Sequence, residues 1–229
     1  MKFLLTSMGV TNASIDSALV HLLGKPIADS TALIIPTAAY PFPSGAGMAW
    51  EAISGNASGP LAELGWKSLG VLELTALPTI REEHWLPLVR SVDALLVWGG
   101  DVLYLCHWMR QSGLADLLES LTDTVYVGVS AGSIAVTPFN PDAAFNLQFV
   151  PEGSDMAWEA DRTLGLVDFA LYPHLDRDDM EDASLASIAR WASGIPAPTY
   201  AIDDDSAITV VDGRVEVVSE GSWHLLPRP

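Results

Sequence analysis

Ser130 lies in a segment whose residue types suit nucleophilic catalysis. Residues 128–132 read Gly-Val-Ser-Ala-Gly and directly follow an apolar, β-branched run at residues 124–129. A serine at the end of a buried strand, with a glycine on either side, is typical of a nucleophile elbow, which is a sharp turn from strand to helix. Because Gly-x-Ser-x-Gly alone arises by chance in roughly one chain in ten of this length, the preceding strand is what supports this prediction.

Residues able to assist the serine follow three other apolar runs. They are Gly99-Gly100 after residues 94–98, His174 after residues 167–172, and Asp203-Asp204-Asp205 after residues 199–202. Ligands bind beyond the carboxyl ends of the strands in open α/β sheets, so we expect these groups to meet Ser130 there. Together they supply what acyl transfer needs, and the N–H groups of Gly100 and Ala131 would bind the oxyanion.

The side chains of this set have roles that follow from their types. His174 would take the proton of Ser130 and return it to the leaving amine, a task typically worth about 10²–10⁴-fold in rate. One aspartate would hold the imidazole tautomer. Alternation along an extended segment puts Asp203 and Asp205 on one face and Asp204 on the other, so only one face can reach His174.

Strand-like and helix-like segments alternate along the chain. The strand-like runs span residues 2–7, 32–36, 69–74, 94–98, 124–129, 167–172 and 199–202, with helical patterns between several of them. This alternation predicts one α/β domain over residues 1–229 with a doubly wound, mostly parallel sheet. Asp212-Gly213 between two apolar runs predicts a C-terminal β-hairpin. Residues 138–161 show little periodicity and contain several aromatic residues, so we expect a lid or flap there.

Composition argues against several classes of protein. Of the 229 residues 49% are hydrophobic, yet no stretch approaches the roughly 18 consecutive apolar residues that cross a bilayer. The charge of −18 comes from 29 acidic and 11 basic residues, so we expect neither nucleic acid nor a membrane as partner. The single cysteine, Cys106, favours the cytoplasm. The acidic runs lack metal-ligand spacing, so no metal or other cofactor is expected, and a homodimer stays open.

Three segments follow one another along the chain: the strand-end pair Gly99-Gly100, the Gly-x-Ser-Ala-Gly segment and Pro173-His174. In this order they resemble the peptidase E (aspartyl dipeptidase) family, which includes the cyanophycinases. The resemblance spans nearly the whole chain. It implies a glutamine-amidotransferase-like α/β fold and a cytoplasmic serine peptidase that acts on short peptides, with Ser130 as nucleophile and His174 as base. The family's carboxylate lies two residues after the aliphatic position that Ile202 matches, which assigns Asp204 to the triad.

The sequence departs from this family at positions that recognise the substrate. Members that cleave Asp-X dipeptides resemble one another in Gly-Gly-Gly-Asn, where this chain has Trp98-Gly99-Gly100-Asp101. By this match Gly100 serves the oxyanion hole, and Gly99 and Asp101 are expected at the substrate, where the Asp101 carboxylate would repel an aspartyl side chain. Those members also carry an arginine after the catalytic histidine, whereas residues 181–184 here read Glu-Asp-Ala-Ser. The resemblance therefore does not carry Asp-X specificity over to this chain.

Two other interpretations stay open at this stage. An esterase-type α/β-hydrolase has its histidine last in the chain order of the triad, which would make His224 the base in place of His174. A family member that has lost turnover could act as a binding protein, because Trp98, Asp101 and Ala183 replace residues of the recognition site.

Overall fold

The computed structural model describes residues 1–228, apart from the side chains of Trp158 and Glu159. Its strands are β1 (Lys2–Thr6), β2 (Thr31–Ile35), β3 (Ser68–Val71), β4 (Ala94–Val97), β5 (Val125–Val129), β6 (Ala170–Tyr172), β7 (Thr199–Ile202), β8 (Ser206–Val211), β9 (Arg214–Ser219) and β10 (Trp223–Leu226). Its α-helices are α1 (Ala13–Leu23), α2 (Gly45–Ser54), α3 (Leu86–Ser91), α4 (Val102–Gln111), α5 (Leu114–Leu118), α6 (Ala131–Ile134), α7 (Ala143–Asn146) and α8 (Leu185–Ala192). No helix within this range is long and apolar enough to cross a membrane.

The larger of two sheets in the described chain has seven strands in the order β3-β2-β4-β5-β1-β8-β9. Neighbours from β3 to β1 pair in parallel, whereas β8 pairs antiparallel with both β1 and β9. The β8–β9 pair is the predicted hairpin, and both residues of its Asp212-Gly213 turn have positive φ. The predicted fold class, an α/β fold with a mostly parallel sheet and a C-terminal hairpin, is confirmed.

The central strands of this sheet are buried on both faces. In β1, Phe3 and Leu5 belong to one core cluster and Leu4 to the other, and β5 alternates in the same way between Tyr126 and Val127. Fully burying a large apolar side chain contributes roughly 1.5–3 kcal/mol, so both faces stabilise these strands. Burial on both faces explains why the run at residues 124–129 is apolar at almost every position.

A smaller sheet of the described chain has three strands in the order β6-β7-β10. We expected the strands that precede His174 and Asp204 to share one sheet with the strand that precedes Ser130, and this expectation is wrong. The strand β7 pairs in parallel with β6 and antiparallel with β10, a strand that the sequence pattern did not predict. Strand propensity identifies an extended segment but does not specify its partner, because pairing depends on contacts distant in sequence.

The stretch at residues 138–161 consists of short helical turns instead of one long helix or strand. Phe145 and Phe149 pack on Phe42, which lies just before α2, with ring centroids 6.0 and 4.9 Å from that of Phe42. The buried Asn140 amide donates to the carbonyl of Ala160 at 2.9 Å and so joins the two ends of the stretch. Its action as a lid stays a prediction.

The hydroxyl of Tyr126 stabilises the turn that follows β5. This side chain is fully buried and donates a 2.7 Å hydrogen bond to the carbonyl of Gly132. We expect Tyr126→Phe to lower the free energy of unfolding by about 1–2 kcal/mol, because the buried carbonyl loses its partner. Urea unfolding measures this as a lower midpoint with an unchanged m-value.

Tyr200→Phe is the matched control for this substitution. Within residues 1–228 the Tyr200 hydroxyl makes no side-chain hydrogen bond, while its ring packs on Phe169. A Tyr126→Phe midpoint no lower than that of Tyr200→Phe would contradict the assigned role of the Tyr126 hydroxyl.

Candidate active site

Ser130 occupies a strained turn between β5 and α6. Its backbone has φ 49° and ψ −113°, a combination that L residues rarely adopt. The turn is held because the Ser130 N–H donates to the carbonyl of Thr6 at 3.1 Å. A side chain on Gly132 would collide with the Val97 carbonyl, so the turn requires glycine at this position. The local geometry is that of a nucleophile elbow.

His174 and Asp204 reach Ser130 from the smaller sheet. The Nε2 atom of His174 lies 2.9 Å from Ser130 Oγ, and Nδ1 lies 2.7 Å from Asp204 Oδ1. His174 follows β6 with φ 60°, and only 7% of its surface is exposed. The structure therefore brings these three predicted residues together, although they come from two sheets. Their roles in catalysis stay a prediction.

The two aspartates beside Asp204 have other surroundings. The Asp203 carboxylate accepts from the Ser206 hydroxyl at 2.6 Å and from the N–H groups of Asp205 and Ser222, so it shapes the turn before β8. Asp205 is exposed, and its carbonyl accepts from the Asn12 amide at 2.9 Å. Only Asp204 contacts the imidazole among the three aspartates.

Backbone N–H groups lie beside Ser130 on two sides. A methyl group at Gly99 would lie 3.2 Å from the Ser130 Cβ, so the Gly99-Gly100 segment passes directly next to the nucleophile. A side chain on Gly100, whose φ is 141°, would overlap the Ala38 carbonyl. Within residues 1–228 the N–H groups of Gly100 and Ala131 donate no backbone hydrogen bond. Both are therefore available to an oxyanion, and that role stays a prediction.

Ser7 belongs to the site, although we did not predict it from the sequence. Its hydroxyl donates to Asp204 Oδ1 at 2.9 Å, accepts from the His174 N–H at 2.6 Å and lies 3.2 Å from His174 Nδ1. Ser7 is fully buried and directly follows β1. The available signal was a polar residue at the carboxyl end of an apolar strand, the same signal that identified Ser130.

Asp101 and Trp98 make structural contacts that the family resemblance did not suggest. The Asp101 carboxylate is 2% exposed and accepts from the Tyr104 N–H at 2.8 Å, which makes Asp101 the N-cap of α4. The Trp98 side chain packs in the core cluster that contains Leu61 and Trp66. Substrate binding by Asp101 and Gly99 stays a prediction.

The charge of Asp204 is stabilised by its neighbours. Burial alone would raise the pKa of the Asp204 carboxyl, but hydrogen bonds from His174 and Ser7 and the charge of Arg177 hold that pKa below its usual value. Arg177 lies 3.5 Å from Asp204 Oδ2 and also donates to Asp179 at 2.7 Å. Arg177 is thus already engaged by two carboxylates.

A second carboxylate, that of Asp142, interacts electrostatically with His174. Burial raises the pKa of the Asp142 carboxyl, and the electrostatic interaction with His174 opposes this rise. Asp142 also contributes to the raised pKa of Asp101. No ion pair joins the Asp142 carboxylate to a cation in the described part of the chain. The surroundings of the imidazole are therefore rich in negative charge.

The remaining candidates lie apart from this arrangement. His224 is exposed on β10, opposite Ala201 of β7, whereas the imidazole in contact with Ser130 is that of His174. The esterase interpretation is not supported by this geometry. Among the described residues, no group of three or more His, Cys, Asp or Glu residues is arranged to hold a metal ion.

One protein-family model and several solved structures match this chain. The model of peptidase family S51 matches residues 3–218. A solved structure of a protein from Listeria monocytogenes EGD-e, assigned as a peptidase E, is 19% identical with a TM-score of 0.68, over 96% of this chain and 98% of that chain. A peptidase from an acI-B1 actinobacterium is 17% identical with a TM-score of 0.64, over 99% of this chain and 90% of that one. None of the curated proteins matches the chain.

The buried Asp101 carboxylate makes stability depend on pH. Burial raises its pKa from 3.8 to about 6, more than the Tyr104 N–H lowers it. Between about pH 4 and pH 6 the folded chain keeps a proton that the unfolded chain releases, so stability falls by up to about 3 kcal/mol as the pH rises. Asn keeps the N-cap and cannot ionise, so we expect Asp101→Asn to become more stable than the wild type as the pH rises through this window.

Urea unfolding of both proteins at pH 4, 5, 6 and 7 measures this difference. A constant difference in unfolding free energy across the four pH values would show that Asp101 does not titrate as described.

Proposed function

The chain belongs to peptidase family S51, and from this premise we propose that it is a serine peptidase of the peptidase E kind that cleaves short peptides. The observation that supports the proposal most directly is the continuous set of contacts from Ser130 Oγ through His174 to Asp204, at 2.9 and 2.7 Å. A hydroxyl, an imidazole and a carboxylate in this order form a catalytic triad, in which the imidazole activates the serine and the carboxylate orients the imidazole.

The first half of the reaction uses the tautomer that Asp204 favours. Because Nδ1 faces a carboxylate, it carries the ring proton and leaves the Nε2 lone pair for Ser130. The Ser130 oxygen attacks the scissile carbonyl carbon, His174 takes the hydroxyl proton, and the carbonyl electrons move onto the oxygen. The resulting oxyanion would accept from the N–H groups of Gly100 and Ala131, each typically worth about 2.7–4 kcal/mol.

The second half returns the enzyme to its starting state. The tetrahedral intermediate collapses, the C–N bond breaks, and the amine leaves with the proton from His174 Nε2, while the acyl group stays on Ser130. A water molecule then gives a proton to Nε2 and attacks the acyl ester. The C–O bond to Ser130 breaks, and the serine oxygen recovers its proton from His174.

The charges around the site argue against acidic substrates. Among the described residues, Arg177 is the cation that pairs with the Asp204 carboxylate, and it is also engaged by Asp179. Asp142 lies near enough to His174 to interact with it electrostatically and adds a further carboxylate to the site. An aspartyl side chain would therefore meet repulsion without a free partner, so we propose that peptides with a neutral first residue are preferred.

A fluorophosphonate probe tests the nucleophile without knowledge of the natural substrate. We expect Ser130→Ala to abolish labelling and His174→Ala to slow it by about 10²–10⁴-fold, because the hydroxyl loses its base. His224→Ala is the matched histidine control and should label at the wild-type rate. The measurement is the rate of covalent modification, read by mass spectrometry.

Two results of this experiment would overturn the proposal. Wild-type protein that does not label would indicate a family member that binds without turnover. Loss of labelling in His224→Ala with normal labelling in His174→Ala would instead favour the esterase arrangement.

Dipeptide turnover tests the expected specificity. Asp-Leu and Asn-Leu are similar in size but differ by one negative charge at the first residue. We expect kcat/KM to be about tenfold lower for Asp-Leu, because a tenfold change corresponds to about 1.4 kcal/mol. This energy lies between the repulsion of two like charges in water, about 1 kcal/mol, and near a protein surface, about 4 kcal/mol. Ser130→Ala run in parallel corrects for contaminating peptidases. Faster cleavage of Asp-Leu than of Asn-Leu would contradict the expectation.

A further inference from the structure

We propose that Ser7 is a positioning residue that holds the His174–Asp204 pair in register with Ser130. The proposal rests on the proposed function, because the alignment of the His174 imidazole with the Ser130 hydroxyl matters only if Ser130 is the nucleophile. Ser7 contacts both members of the pair through one oxygen atom, at 2.6 Å from the His174 N–H and 2.9 Å from Asp204 Oδ1. No hydrogen bond joins Ser7 to the Ser130 side chain in the described chain, so Ser7 would act through its two partners.

The hydrogen atoms around Ser7 have one consistent arrangement. The single hydroxyl proton points to Asp204, so the two lone pairs of Oγ face the His174 main-chain N–H and the ring Nδ1, which lies 3.2 Å away. A lone pair near Nδ1 is favourable only when Nδ1 carries a proton. Ser7 therefore supports the tautomer that leaves Nε2 free to accept the proton of Ser130.

Consecutive residues at the end of β1 hold the nucleophile and the base. The carbonyl of Thr6 accepts the N–H of Ser130 at 3.1 Å and the hydroxyl of Ser133 at 2.7 Å. The next side chain, Ser7, accepts the N–H of His174. The distance between Ser130 and His174 is thus set at the carboxyl end of β1 in the larger sheet, although His174 follows a strand of the smaller sheet.

The main-chain bond from His174 also opposes relaxation of a strained residue. With φ at 60°, His174 lies in the left-handed region, which costs on the order of 1 kcal/mol or more for a residue of this type. Its N–H is buried, so it would lose its acceptor if the Ser7 hydroxyl were absent. Relaxation of this loop would move Nε2 away from Ser130.

Fluorophosphonate labelling of the full chain tests Ser7→Ala against Ser7→Thr. We expect the alanine variant to label about 10- to 100-fold more slowly at saturating probe, with a similar half-saturating concentration, because misplaced groups lose rate more than binding. The threonine variant keeps the hydroxyl and should label faster than the alanine variant. Ser30→Ala is the matched control, because Ser30 is equally buried and its hydroxyl bonds only the Pro26 carbonyl among the described residues.

Proton NMR provides a readout that does not depend on turnover. The Nδ1–H···Oδ1 bond between His174 and Asp204 should give a downfield proton resonance in wild type, Ser30→Ala and Ser7→Thr that shifts or broadens in Ser7→Ala. An unchanged resonance in Ser7→Ala, or labelling of that variant at the wild-type rate, would overturn the inference. If Ser7→Ala does not fold, the threonine variant decides, and loss of its resonance or labelling in a folded protein would overturn it. Wild-type protein that shows the resonance but does not label would refute the proposed function alone.

Discussion

The geometry of the site depends on hydrogen bonds that join two sheets at the end of β1. In the larger sheet, Ser130 directly follows β5, which is parallel to β1, and in the smaller sheet His174 and Asp204 follow β6 and β7. Two separately hydrogen-bonded sheets have no common ladder that would fix the distance between them. The bonds from Thr6 and Ser7 to residues of both sheets supply that connection, and the 2.9 Å contact between imidazole and hydroxyl depends on it.

The features that could be predicted from the sequence have local causes. The apolar run at residues 124–129 indicates a strand buried on both faces, and the glycines around Ser130 indicate the turn that follows it. Asp212-Gly213 between two apolar runs indicates the hairpin turn that joins β8 and β9. In each case the conformation is decided by a few neighbouring residues, so short patterns suffice.

The features that could not be predicted depend on partners distant in sequence. The strand β10 completes the smaller sheet by pairing with β7, and no pattern in residues 223–226 specifies that partner. Ser7 contacts residues 167 and 197 positions away along the chain. The burial of the Asp101 carboxylate and the place of Trp98 in the core likewise emerge only from packing. Residue type identified the chemistry of these positions, whereas their surroundings determined which residues could perform it.

The backbone is strained in the two turns that hold the Ser130 hydroxyl and the His174 imidazole. Three non-glycine residues with positive φ, namely Ser130, His174 and Asp176, lie in the two turns that form the site. Such conformations persist only where surrounding contacts enforce them, and here the N–H groups of all three residues donate to Thr6, Ser7 and Ala183 in turn. Without these hydrogen bonds the two turns would relax to backbone conformations of lower energy, and the side chains would move. The contacts therefore keep hydroxyl and imidazole aligned before any substrate arrives, as a site that stabilises a transition state requires.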